Sequence, residues 1–349
     1  MDVPLLAAAA ALVLASALTH LLIRHRAGPL ALLDHPNERS LHAQPVARTG
    51  GIAVLVATLL AGGAGLLLLQ RQPLPPPLPW LTAAVLLVAA ISYLDDRRHV
   101  PVRWRLTVHL LAALLLWFGG LRWSALDLPG FSLPLGPLAP VLTLFYVIWM
   151  INLYNFMDGM DGLAGSMAVF GFGALAVLGQ AGGEPAFTLL AASIAAAAAG
   201  FLTGNFPPAR IFLGDLGAST LGLAAAALIL WGNALGLFPL WVGWLAFSPF
   251  IVDATWTLLA RLWRHERVWE AHRSHHYQRL VLAGWGHRRT LLRALLLMAA
   301  TAATAVAAPR LATPEQSLLL LGWGAIYGLI HVRVGLAERI TASTGHERG

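Results

Sequence analysis

The sequence predicts an all-α, polytopic integral membrane protein of ten to eleven spans in one domain, residues 1–349, and three observations carry that expectation. Hydrophobic residues make up 58% of the chain and charged residues 11%, where a soluble domain carries about 25% charged residues. The apolar residues fall in runs near the length a bilayer requires, about 20 residues per helix. The basic residues are all arginine, and they crowd into alternate connecting segments. Cysteine is absent, which excludes disulfides and thiolate metal sites. The net charge of +7 has to be read loop by loop in such a chain, so no nucleic-acid partner is expected.

In chain order, the candidate spans are residues 4–23, 51–69, 80–94, 106–119, 140–151 extended toward 157, 163–179, 187–204, 218–231, 240–262, 291–308 and 317–331. The expected count is eleven, with ten as the alternative. The first run has no basic segment ahead of it and is followed by Arg24 and Arg26, the reverse of a signal peptide, so it reads as an uncleaved anchor with its N-terminus outside. Segments 24–50, 95–105, 152–162, 205–217, 263–290 and the C-terminal tail, with Arg261 and Arg293 at their borders, hold 20 of the 23 arginines. Only Arg71, Arg122 and Arg310 fall on the other side. That bias predicts that the arginine-rich side is cytoplasmic. The same side holds nearly all the carboxylates, amides and histidines found outside the spans.

The central stretch is NLYNFMDGMDGLAGS, residues 152–166, where Asn152, Asn155, Asp158 and Asp161 recur every third residue. Three residues turn an α-helix by about 300°, so one continuous helix would put Asn152 and Asp161 on opposite faces. Gly159, Gly162 and Gly165 predict a broken backbone that lets the polar groups converge. Ionisable groups at the edge of a span are costly to place and are functional candidates, with an ordinary polar loop as the alternative.

Four further cytoplasmic segments are polar in the same way. Residues 34–51, DHPNERSLHAQPVARTGG, combine Asp34, Asn37, Arg39, His42 and Arg48 with Gly50-Gly51, whose N–H groups would be open to an anion. A basic loop meeting anionic lipid is the other reading. Residues 93–105 carry adjacent Asp95 and Asp96, which could take up a cation or a proton, or simply pair with Arg97 and Arg98. In residues 204–220, Asp215 lies between Gly214 and Gly217 before a span. It suits a hard cation that also touches phosphate, as Mg²⁺ does, although an N-capping aspartate is equally readable. In residues 270–280, a helix would bring His272, His275, His276 and Arg279 to one face, a cationic surface for a diphosphate rather than a zinc site, since HExxH is missing. Asp253, inside the preceding span, reads as a structural ion pair with Arg261. The expectation for the whole is one pocket, shared by the carboxylates and imidazoles and open to the bilayer.

DHPNERSLHAQPVARTGG, YLDD, NLYNFMDGMDGLAGS, NFPPARIFLGDLGAS and HRSHHYQRL, in this order and over nearly the whole chain, resemble the polyprenyl-phosphate N-acetylhexosamine-1-phosphate transferases, glycosyltransferase family 4. NFPPARIFLGD and HRSHHYQRL are most similar to the undecaprenyl-phosphate N-acetylglucosaminyl/N-acetylfucosaminyl branch, which starts O-antigen and related lipid-linked glycans. The peptidoglycan branch carries a compact triple-histidine run where this chain has His272, Arg273, Ser274, His275 and His276. Relatives use lysines near the substrate phosphates; lysine is absent here, and Arg48, Arg103 or Arg105 would substitute.

The resemblance implies transfer of N-acetylhexosamine-1-phosphate from a UDP-sugar to undecaprenyl phosphate at the cytoplasmic face of a bacterial inner membrane, with release of UMP. It implies Mg²⁺, with Mn²⁺ as the alternative, on Asp215 with Asn155 beside it. Asp95 and Asp96 would position or deprotonate the lipid phosphate, and Asp158 and Asp161, with Asn152, would shape the nucleotide side. His272, His275, His276 and Arg279 would hold the diphosphate, and relatives often form homodimers. The competing classes are the phospho-N-acetylmuramoyl-pentapeptide transferase and a secondary transporter; the latter would place charges at mid-membrane in repeated, broken helices.

Overall fold

The structure, a computed structural model, describes residues 2–25, 32–34, 45–69, 74–267 and 272–346, without the side chains of Asp34 and residues 339–346. The candidates Asn37, Arg39 and His42 lie outside the described residues, as does the side chain of Asp34. The chain is built from helices: α1 (Val3–Arg24), α2 (Gly50–Leu68), α3 (Pro77–Arg98), α4 (Val102–Phe118), α5 (Ala139–Phe156), α6 (Leu163–Ala181), α7 (Pro185–Asn205) and α8 (Gly214–Ala234). α9 (Leu240–Ala246), α10 (Ser248–Trp263), the short α11 (His276–Leu280), α12 (Gly286–Ala307) and α13 (Thr313–His346) complete them. Two small antiparallel hairpins, β1 (Leu33–Asp34) with β2 (Val46–Ala47) and β3 (Ala125–Leu128) with β4 (Phe131–Pro134), are the described strands.

Among the described residues, nine helices are long and apolar enough to cross a membrane, or ten if α9 and α10, bent by 88°, form one broken span. The break falls at Phe247–Ser248, where Pro249 removes a backbone donor from the first turn of α10. The eleventh expected span is the 17-residue α4, in its expected place but shorter than the others. The chain is therefore an all-α, multi-pass membrane protein. Its exposed large apolar residues, such as Leu67, Val141 and Phe145, would be a liability in water and are ordinary against lipid.

α8 is the axis. Its alanine- and leucine-rich sequence is apolar all round, as a helix buried on every side must be, and residues from Leu216 to Gly232 are buried. α2, α3 and α5 pack around it, while α1 and α6 pack on α7. The approach of α2 to α8 depends on glycine: a Cβ on Gly51 would come 2.4 Å from the Gly217 backbone nitrogen.

Gly50 and Gly51 therefore do something other than the anion binding expected of them. Their N–H groups donate to the carbonyls of Phe212 and Leu213 at 2.9 and 2.8 Å. Phe212 N–H donates in turn to Ala47 at 2.7 Å, so residues 47–51 and 211–213 run together as one clasp. This clasp sets Arg48 beside the first turn of α8.

Adding a methyl where the neighbour is backbone forces a shift that costs about 1–3 kcal/mol. Gly51→Ala is expected to lower the unfolding temperature of the detergent-solubilised protein. Gly63→Ala in the same helix, where a Cβ would meet nothing within 4 Å, is expected to leave it unchanged or raise it. Equal behaviour of the two variants in a thermal melt would contradict the clasp.

Candidate active site

The site begins at the last turn of α3. Asp95 is buried, with Oδ1 accepting from Val100 N–H at 2.7 Å and Oδ2 from Arg105 Nη1 at 2.6 Å. Asp96 accepts from Arg48 Nε at 3.0 Å and from the N–H groups of Asp215 and Leu216 at 3.3 and 3.1 Å. Neither aspartate uses the adjacent arginines: their guanidinium partners, Arg105 and Arg48, come from α4 and the 47–51 clasp, while Arg97 lies 5.3 Å from the Tyr93 ring centre.

The N-terminus of α8 collects the charge. Gly214 opens the helix at φ +76°, in the left-handed region that favours glycine. A Cβ there would also meet the Arg48 carbonyl oxygen at 2.4 Å. Two successive N–H groups, of Asp215 and Leu216, serve the Asp96 carboxylate of α3. Unsatisfied N–H groups and the helix dipole make this end of a helix favourable for anions. Asp215 does not cap its own helix; it lies in the first turn, within hydrogen-bonding reach of Asp95.

Four carboxylates, Asp95, Asp96, Asp158 and Asp215, thus meet with two guanidiniums at one rim of the bundle. Burial, and then the Asp215 and Asp96 charges, push the Asp158 carboxyl well above the usual carboxylate range, against the pull of the Gly214 N–H.

The expected break in residues 152–166 is present: α5 ends at Phe156, and α6 starts at Leu163 after Gly162 at φ +74°. It separates the four polar residues. Asn155 Nδ2 donates to Ser219 Oγ on α8 at 3.4 Å, beside the carboxylates. Asn152 Nδ2 instead donates to Ile148 O at 2.7 Å and lies 3.5 Å from His109 Nδ1. Asp161 accepts from Ala209 N–H at 3.0 Å and lies 3.4 Å from His287, tying the 206–209 turn to the start of α12. His109, 2% exposed, escaped the sequence reading; the available signal was a lone histidine one turn after Arg105 on an apolar helix.

The histidine segment departs from expectation. The helix begins only at His276, so His272, His275, His276 and Arg279 do not share one helical face. His275 is the residue before α11, and both His275 Nδ1 (3.4 Å) and His276 Nδ1 (3.1 Å) approach Asp253 Oδ1, as does the His276 N–H at 3.0 Å. The partners of Asp253 are thus histidines and Thr257, while Arg261 pairs with Glu266 at 2.8 Å. Arg279 makes a two-pronged pair with Glu338 of α13, at 2.7 and 2.5 Å. Burial, then His275 and Arg261, lower His272 to about 4, so it is neutral near pH 7.

Among the described residues, these polar groups form two neighbouring clusters on either side of the 157–162 turn. Tyr277 links them: its hydroxyl donates to Phe156 O at 3.2 Å and rests against Gly159, beside the Asp158 turn. A cavity of about 450 Å³, largely apolar, adjoins the histidine side, with Met157, Asp253, His276, Tyr277 and Arg293 in its wall.

The carboxylates suit a hard divalent cation. Asp95 and Asp96 are held by arginine and backbone N–H groups, with Asp158 and Asp215 beside them as further carboxylate donors. Among the described residues no three His, Asp or Glu side chains form a complete metal cage. Two carboxylates completed by phosphate oxygens and water is the mode Mg²⁺ commonly adopts.

Residues 78–233, from α3 to the end of α8, match the sequence profile of the family described as glycosyl transferase family 4. A probable undecaprenyl-phosphate N-acetylglucosaminyl 1-phosphate transferase of Bacillus subtilis is 26% identical over 78% of this chain and 75% of its own length. A decaprenyl-phosphate N-acetylglucosaminephosphotransferase of Mycolicibacterium smegmatis is 29% identical over 87% and 82%. A phospho-N-acetylmuramoyl-pentapeptide-transferase of a Synechococcus strain is 32% identical over 70% and 71%.

A carboxyl whose folded pKa is raised contributes stability below its unfolded pKa, and this is lost as pH rises through the folded value. At neutral pH without divalent metal, Asp158→Asn is therefore expected to unfold at a higher temperature than the wild type, since Asn removes a buried charge beside Asp215 and Asp96. A lower unfolding temperature in chelator-treated buffer would refute the crowding of charge around Asp158.

Proposed function

This chain belongs to glycosyl transferase family 4, and we propose that it transfers N-acetylhexosamine-1-phosphate from a UDP-sugar to undecaprenyl phosphate, releasing UMP. The observation that carries this reading is the meeting of Asp95, Asp96, Asp158 and Asp215 at the N-terminus of α8, between Arg48 and Arg105. The arginine bias supports placing that rim on the cytoplasmic side of a bacterial inner membrane. Relatives named for undecaprenyl and decaprenyl phosphate support the lipid acceptor.

In the proposed reaction, an oxygen of the lipid phosphate forms a bond to the sugar-bearing β-phosphorus, and the bond from that phosphorus to the bridging oxygen breaks. The electron pair leaves with UMP. One diphosphate linkage replaces another, so the step is near thermoneutral. A phosphate monoester has its second pKa near ≈ 6, so the acceptor is mostly dianionic at neutral pH and needs no strong base.

Catalysis then rests on placement and charge neutralisation. Asp158 and Asp215, with Asn155 beside them, would hold Mg²⁺ or Mn²⁺, which supplies the positive charge that lets two phosphate groups approach. Arg48 and Arg105, in place of the family's lysines, present guanidinium N–H groups to phosphate oxygens, each oriented by its aspartate. Asp95 and Asp96 are thus positioning residues rather than bases, while Asp161 and the Asp253-held histidines shape the turns that face the nucleotide sugar. The product would begin O-antigen or another cell-envelope glycan.

The phospho-N-acetylmuramoyl-pentapeptide-transferase relatives favour a second reading, in which the donor is the peptidoglycan precursor. A panel of UDP-sugars that includes that precursor, with undecaprenyl phosphate and Mg²⁺, separates the two by which radiolabel enters the lipid phase. Radiolabel from an N-acetylhexosamine donor is expected; label from the muramoyl-pentapeptide donor alone would establish the second reading.

Asp215→Ala is expected to lower UMP release by at least about 10²-fold, the scale seen when one group that stabilises developing charge is lost. The variant should still fold, as judged by its melt. Turnover within a few-fold of wild type would refute the metal assignment.

A further inference from the structure

We infer that His109 of α4 is a positioning residue for the transfer reaction, a neutral imidazole brace that fixes the Arg105 end of α4 against the helix bearing Asn155. The inference rests on the transfer reading above, which uses Arg105 and Asn155 and gives His109 no role. His109 is 2% exposed, while Leu106, Leu110 and Leu111 of the same helix are exposed. A polar ring is costly to bury in an apolar helix of a membrane protein, and one turned inward onto other polar side chains is a functional candidate.

The neighbours of His109 belong to the site on two sides. One turn earlier on the same face of α4 is Arg105, whose Nη1 donates to Asp95 Oδ2 at 2.6 Å. On α5, Asn152 Nδ2 lies 3.5 Å from His109 Nδ1. About a turn beyond Asn152, Asn155 reaches Ser219 Oγ at 3.4 Å, beside the carboxylates. His109 thus joins the helix that carries a phosphate-facing guanidinium to the helix that carries the metal-side amide.

Hydrogen-bond chemistry fixes the form of the imidazole. The Asn152 amide nitrogen also lies 2.7 Å from the Ile148 carbonyl, an oxygen that can only accept. That contact identifies the end of the amide facing His109 as NH₂, which donates and has no lone pair to offer. His109 Nδ1 is therefore the acceptor, so the proton sits on Nε2 and the ring is neutral. An imidazolium at this position would instead repel the Arg105 guanidinium one turn away. The position calls for a neutral side chain with an acceptor atom, which glutamine supplies and leucine does not.

The test combines nitrogen-15 NMR of the histidine-labelled full chain in detergent with steady-state UMP release. The His109 ring, identified as the signal lost in His109→Gln, is expected to be neutral at neutral pH with its lone pair on Nδ1, and to shift in Asn152→Leu. A charged ring, a proton on Nδ1, or a signal indifferent to Asn152→Leu overturns the brace, whether or not the protein transfers anything. His109→Leu is expected to lower kcat about tenfold or more with both KM values within about twofold, because misaligned halves of the site still bind. His109→Gln is expected to keep kcat within about threefold, since it restores the acceptor. His109→Leu with Asn152→Leu is expected to lose no more than the larger single loss, as partners in one contact do. Losses that multiply, or a glutamine variant as slow as the leucine variant, would show that His109 only fills the core and would overturn the inference. No UMP release by the wild type with any UDP-sugar would fail the transfer reading instead, and the NMR would still decide whether the brace exists.

Discussion

Everything at the rim of this bundle depends on holding several carboxylates where water is scarce. Removing an ion from water costs several kcal/mol unless partners replace the hydration shell. Here the replacement is shared between two guanidiniums and two consecutive N–H groups of α8. Those N–H groups can point outward only because α8 starts abruptly at a left-handed Gly214. They lie close to Arg48 only because Gly51 lets α2 touch α8 backbone to backbone. The glycines position the charge, and the charge is what the proposed cation and phosphate sites would draw on.

The second cluster obeys the same rule with different chemistry. Asp253 lies inside a span and is held by two imidazoles, a backbone N–H and a hydroxyl rather than by arginine. These contacts fix α11 to α10, and the Arg279–Glu338 pair together with the 3.0 Å contact between His276 and His331 fixes it to α13. The loop's position is thereby set by membrane helices far apart in sequence. Tyr277 carries that positioning across to the Asp158 turn, which joins the two clusters.

Much of this could be read from the chain. Apolar runs, a glycine-punctuated break after Phe156 and the one-sided arginines depend on composition and short-range spacing, which survive folding unchanged. The five polar segments also announced that they belonged together. Pairing was not legible. Asp95 and Asp96 had arginines as immediate neighbours and took their guanidinium partners from α4 and the 47–51 clasp instead. Gly50 and Gly51 offered N–H groups that are consumed by residues more than 150 positions away, at Phe212 and Leu213. His109 gave almost no signal, because a lone histidine in an apolar helix is silent until its neighbours are known.

By itself, the sequence determined that this chain is helical, crosses a membrane many times and gathers its reactive side chains on the arginine-rich side, because hydropathy and charge act residue by residue. Which carboxylates converge, which are tied to arginine, and that the histidines gather on Asp253 instead of forming one cationic helical face were decided only by the tertiary structure. Electrostatic partnership is settled over a few ångströms in space, and spacing along the chain carries no record of which helix ends will meet.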